Sequence, residues 1–155
     1  MSEANVQINN DSRPNPKHYW YAGTDQLEVG YAMCIDVAAT KGILKTSLGR
    51  QVTKPATANL MHFAGVVMSA CKGPCQVKLA IPDRNYMGEV FTKANMVKDV
   101  TVLGPVDALY SLAIKLDDHN ATPATTTGHN LPSVALALET VDTSSTAANK
   151  LVRFL

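Results

Sequence analysis

From Leu27 to the end of the chain, short runs of Val, Ile, Leu and Thr are broken every few residues by Gly, Pro, Asn or Asp. That rhythm leaves little room for amphipathic helices and fits strands joined by turns, as in an all-β sandwich or barrel. Candidate strands are residues 29–36, 60–68, 75–81, 89–91, 100–103, 109–115, 134–138 and 151–155. Val77, Leu79 and Ile81 alternate with polar or small neighbours and should face one way, whereas residues 60–68 alternate little and should be buried on both faces. Lys72-Gly73-Pro74, residues 82–85 and residues 103–107 carry turn chemistry between apolar runs. Residues 53–59 have room for one helical turn, and residues 134–139 have helix-forming composition but fit better as a strand pairing back with 151–155. No repeat with a 20–50-residue period is evident. The expected fold is therefore all-β, a small sandwich or barrel with an extended N-terminal arm and little helix.

The first 17 residues hold little that is apolar beyond Val6 and Ile8, and Pro14 and Pro16 keep that stretch extended. They are read as an arm, with residues 18–155 forming one β-rich domain. Such an arm gains affinity by adding a strand to a neighbour or by lying in its groove. Next come Tyr19, Trp20 and Tyr21, which include the single Trp and two of the five Tyr. Two readings stand: the three form an aromatic anchor at an interface, or Trp20 plugs one end of a barrel.

The net charge of +1 hides an uneven spread. Residues 41–98 carry nine basic and two acidic side chains, while both flanking thirds are acidic. Lys41, Lys45, Arg50 and Lys54 come with no acid between them. Either these are ordinary solvated faces or they match an acidic partner. Nucleic acid fits poorly, because no aromatic-rich strand accompanies the dispersed charge. No run reaches the roughly 18–20 apolar residues of a membrane span, and the N-terminus lacks the order of a signal peptide, so synthesis in a cytoplasm is expected.

Chemistry-bearing motifs are sparse. Cys34, Cys71 and Cys75 make an odd number and read as free thiols; Cys71 and Cys75 flank a turn with no second ligand pair beside them. His18, His62, His119 and His129 show no metalloprotease spacing, and His62, within an apolar run, reads as a partly buried histidine. His119 and His129 share the polar loop 117–132 with Asp117 and Asp118, which reads as a solvated loop. Asp83, Glu89 and Asp107 are scattered carboxylates that nothing local singles out. The expectation is no enzyme, no cofactor and no metal. Residues 151–155 end without a charged tail, and as an exposed edge they call for a covering subunit, favouring a homo-oligomer with Phe154 at the contact.

The polar arm, the basic β-body, Gly65-Val66-Val67, residues 73–77, the segment 99–105 and the close at 134–140 and 150–154 together resemble small capsid decoration, or cement, proteins of tailed bacteriophages. The resemblance spans roughly residues 27–155 and rests on strand order and composition. It implies a structural virion protein on the outside of an icosahedral head, commonly a homotrimer, that binds the major capsid protein and stabilises contacts between coat subunits. Other readings of the same features are a minor coat, fibre or tail module, or a carbohydrate-binding β-sandwich using Trp20 with Tyr21 or Tyr86 as stacking platforms.

Overall fold

The computed structural model describes residues 15–38, 51–81, 87–106, 108–114 and 133–155. Every regular element among them is a strand: β1 (Asn15–Tyr21), β2 (Gln26–Leu27), β3 (Ala32–Ile35), β4 (Gln51–Thr53), β5 (Phe63–Val67), β6 (Cys71–Lys72), β7 (Cys75–Ile81), β8 (Met87–Thr92), β9 (Asn95–Met96), β10 (Val102–Pro105), β11 (Leu112–Ile114), β12 (Ala135–Ala137), β13 (Val141–Asp142) and β14 (Ala148–Phe154). The all-β expectation holds, in its barrel form.

There are two closed barrels of five strands each, ordered β1-β4-β3-β5-β7 and β10-β11-β8-β14-β12. Closure removes the exposed edges that a short sheet would otherwise present. The two barrels have one topology. In each, the first and third long strands run parallel, β1 with β4 and β8 with β11, and every other pairing is antiparallel. Each also carries a two-stranded ribbon from the same places in the chain order, β2 with β6 and β9 with β13.

The turns repeat as well. Gly30 donates to the Val67 carbonyl and Asp99 to the Ala137 carbonyl, each at 2.9 Å, and both donors have positive φ, 93° and 58°. Gly73 donates to Asp25 as Thr143 does to Ala94, and Met68 donates to Lys78 as Leu138 does to Leu151. Residues 15–81 and 87–154 are thus two copies of one structural unit, longer than the periods in which the sequence shows no repeat. Ladder registers pair core positions across the copies: Leu27 with Met96, Met33 with Leu103, Val52 with Leu112 and Leu79 with Val152, all buried. None of these pairs is identical. A barrel interior demands apolar volume at each position and leaves the residue free to vary.

Several expectations change. Asn15, Pro16 and Lys17 pair with Ile81, Ala80 and Leu79, so the last three residues assigned to the arm lie in β1; the rest of the arm falls outside the described residues. β14 is bonded to β12 on one side and β8 on the other. The terminal strand is therefore interior, and the edge that called for a covering subunit does not exist. Phe154 is 3% exposed and stacks near Phe63, centroids 6.5 Å apart, so it is a core residue and not a contact. Cys71 and Cys75, expected as free thiols, are joined as a disulfide, because the turn between β6 and β7 brings the two chain segments back together. Cys34 stays free and buried, and burial pushes its thiol up to about 12.

Of residues 60–68, expected to be buried on both faces, 64–67 are, whereas Met61, His62 and Met68 are exposed. Val67 joins the first barrel's interior while Val66, with Ala32, joins the second barrel's apolar cluster. The barrels thereby share buried surface. Leu103→Ala, a cavity in the second barrel, should cost about 2–5 kcal/mol. The loss should appear equally in Trp20 fluorescence, which reports the first barrel, and in far-ultraviolet circular dichroism. Separate midpoints for the two signals would mean that the barrels unfold independently.

Candidate binding site between the barrels

Tyr31 directly precedes β3 of the first barrel, and β8 and the approach to β11 in the second supply Phe91 and Tyr110. The docking seam that brings these together is hydrogen-bonded through main chain: Ala32 donates to the Tyr110 carbonyl and Phe91 to the Gly30 carbonyl, each at 2.8 Å, and Ala108 donates to Pro55 at 2.9 Å. The Asn149 side-chain amide donates across the seam to the Val29 carbonyl at 3.1 Å. Gly30 is required here on two counts. Its φ of 93° disfavours a side chain, and a Cβ would overlap the Asn149 amide.

Three rings then form a stack. Tyr31 lies parallel to Tyr110 with centroids 4.9 Å apart and tilted against Phe91 at 5.0 Å. The Lys54 ammonium sits over the Tyr110 ring, 4.8 Å from its centroid. With exposed Lys93 and buried Ser111, these residues line a cleft of about 210 Å³. The Ser111 hydroxyl is buried with no hydrogen-bond partner. A buried polar atom left unpaired costs roughly 1–3 kcal/mol.

The far end of Tyr110 is tied down. Its hydroxyl donates to the Asp25 carboxylate at 2.8 Å and lies 2.7 Å from the Tyr21 hydroxyl, which is left to act as donor to it. Burial first, then the hydrogen bonds to Tyr21 and Asp25, hold the Tyr110 phenol well above the ordinary tyrosine range. A folded value above the unfolded one means stability that is fully present below about pH 10 and is lost as the pH rises past it. Tyr110→Phe should flatten that alkaline decline in a melting-temperature series from pH 8 to 11. A decline of unchanged slope would remove Tyr110 as its source.

The sequence-chosen residues fare unevenly. Lys54 is in the cleft. Tyr21 is 3% exposed and belongs to the first barrel's core, which excludes it both as an interface anchor and as half of a carbohydrate platform. Tyr19 is half-buried against the same core, so neither tyrosine is an exposed anchor, and Trp20, the residue read as a barrel plug, is not in that core. Trp20 is half-buried, its neighbours in the strand facing the opposite way. Pro16 lies in β1, and Val6, Ile8, Pro14, Lys41, Lys45 and Arg50 fall outside the described residues, as do Asp83, Tyr86, Asp107, His119 and His129. His62 is exposed and not partly buried, because β5 begins only at Phe63. Among the described residues no group of three or more His, Cys, Asp or Glu comes together.

Sequence reasoning missed Tyr31, Phe91, Tyr110, Lys93 and Ser111. Phe91 lies within β8 and the others beside strands, and only the docking of one barrel on the other assembles them. Among the described residues, the cleft offers two lysines and an apolar aromatic wall, which suits a carboxylate carried on a partly apolar stem. No family model matches the chain, and no curated protein matches it either.

Proposed function

We propose that this protein is a structural virion component that binds the outside of an icosahedral phage capsid and stabilises contacts between major coat subunits. The observation that carries the reading furthest is the inter-barrel cleft. At about 210 Å³ it falls below the ~300–1,000 Å³ of typical small-molecule pockets and suits a single protein side chain. Lys54 and Lys93 make that side chain acidic. A shell of coat subunits repeats such a side chain at every equivalent position, and a rigid, edge-free double barrel is suited to clamp it. The basic character of residues 41–98 favours approach to an acidic surface, and the resemblance in strand order to cement proteins points the same way. Folding in the host cytoplasm before addition to the finished head belongs to the same proposal. The carbohydrate reading is weaker, since Tyr21, one of its stacking platforms, is buried.

Purified protein mixed with expanded heads of the coat protein encoded alongside it should co-sediment saturably, at a fixed ratio to coat subunits. Lys54→Glu/Lys93→Glu should weaken that binding by at least about tenfold, or ~1.4 kcal/mol, and remove much of its salt dependence. Co-sedimentation that the double variant leaves unchanged would remove the cleft from the contact. No binding to any head preparation would sink the capsid reading itself.

A further inference from the structure

The Cys71–Cys75 disulfide stands at a junction that the second barrel fastens in another way. Cys71 in β6 pairs with Leu27 of β2, and Cys75 in β7 pairs with Tyr21 of β1, so the bond ties the first ribbon to the first barrel's ladder. In the second copy Val141 and Ala148 occupy these places, opposite Met96 and Thr92. There the ribbon is held by hydroxyls. Thr143 Oγ1 accepts from the Ala94 N–H and donates to the Ala94 carbonyl, each at 3.0 Å, and Thr92 Oγ1 donates to the Ala148 carbonyl at 3.1 Å. Gly73 stands at the place of Thr143 and brings a main-chain N–H alone, given to the Asp25 carbonyl at 3.1 Å. In the first copy a covalent bond takes the place of the hydroxyl network.

The turn closed by that bond braces the cleft wall from behind. A Cβ on Gly73 would overlap the Gly23 carbonyl and crowd the Tyr21 ring, so turn, loop and ring are in direct contact. The Tyr21 hydroxyl lies 2.7 Å from that of Tyr110, and Asp25, whose carbonyl the turn holds, accepts from the Tyr110 hydroxyl at 2.8 Å. Both residues that fasten Tyr110 are thus held by the turn, and Tyr110 carries the Tyr31 stack and the Lys54 ammonium in front. Cys71 and Cys75 are only half-buried, within reach of an attacking thiolate. The two cysteines are separated by 4 positions, and a crosslink stabilises a fold less the shorter the loop it closes, so cleavage acts on this corner and not on the whole barrel. Buried Cys34 keeps its proton and stays out of exchange.

We propose that the Cys71–Cys75 disulfide is a redox switch for the inter-barrel cleft: closed, it holds Tyr21 and Asp25 against Tyr110; reduced, it frees them, and the cleft grips its carboxylate more weakly. The reductant is a pair of thiols or a dithiol. One thiolate attacks a cysteine sulfur and breaks the S–S bond to a mixed disulfide, and a second thiol attacks the reductant's sulfur within it. Two electrons and two protons end on Cys71 and Cys75, and the reductant leaves as its own disulfide. The regulated site is that of the capsid reading, on which the inference rests. A chain made among cytoplasmic thiols then adds to heads in the looser form and locks once the particles reach an oxidising medium.

Tyr110 supplies a readout that needs no capsid: the near-ultraviolet circular dichroism difference between wild type and Tyr110→Phe, taken within one redox state so that the disulfide's own signal cancels. Reduction with a phosphine should remove most of that difference while the far-ultraviolet spectrum stays, and re-oxidation should restore it. Cys71→Ser/Cys75→Ser should behave as the reduced form in either medium. Binding to expanded heads should fall by at least about fivefold in the reduced form. A Tyr110 difference that reduction leaves unchanged, or equal head binding by the two forms, would overturn the proposal. So would collapse of the far-ultraviolet spectrum on reduction, which would make the bond a structural staple. Loss of the Tyr110 difference on reduction, with no head binding by either form, would instead sink the capsid reading and leave the switch standing.

Discussion

The seam between Gly30–Ala32 and the second barrel is the constraint on which most of the molecule depends. Three main-chain hydrogen bonds and one side-chain amide cross it within a short length. A main-chain group buried there without a partner would cost as much as a lost hydrogen bond, so the two barrels dock in one register only. That register places Val66 and Ala32 in the second barrel's cluster, and it sets Tyr31 between Phe91 and Tyr110. The cleft is a by-product of this docking. Its ring wall is rigid because every ring is held on a strand or at its mouth, and Tyr110 is fastened from behind through Tyr21 and Asp25.

Strand content was legible in the sequence because it is written locally, in alternation and turn residues. Cys75–Ile81 was read with its bounds intact, since Val77, Leu79 and Ile81 alternate against polar or small neighbours between two turns. β1 was missed because its residues, Asn15–Tyr21, combine prolines, charge and aromatics that do not resemble a strand; it forms through its ladder to β7 over all seven residues. The repeat was illegible for a different reason. Equivalent core positions such as Leu27 and Met96 need only apolar volume, so nothing in the letters recurs even where hydrogen bonds do. Among the site residues Lys54 was found through its charge, but its partner ring, Tyr110, lies far along the chain and carries no local mark. The terminal strand misled because a bare apolar C-terminus reads as an edge, and only the topology reveals a neighbour on each side.

The two units have the same topology but face opposite demands, and the differences between them follow from that. Where the first barrel is covered by the second, Ala32 and Val66 join the second barrel's apolar cluster, compact residues that let backbones approach. At the equivalent places the second barrel carries Val102 and Leu136, larger side chains. The turn before β3 has Gly30 and the turn before β10 has Asp99, both in the left-handed region, but only the glycine also lets another side chain sit against it. Two copies of one unit have thus been tuned apart. A close-packed seam needs little side-chain volume and a fixed register, whereas a surface that meets another molecule is better served by long side chains that adapt to it. The pairs Ala32–Val102 and Val66–Leu136 show that contrast: the smaller member of each lies in the seam.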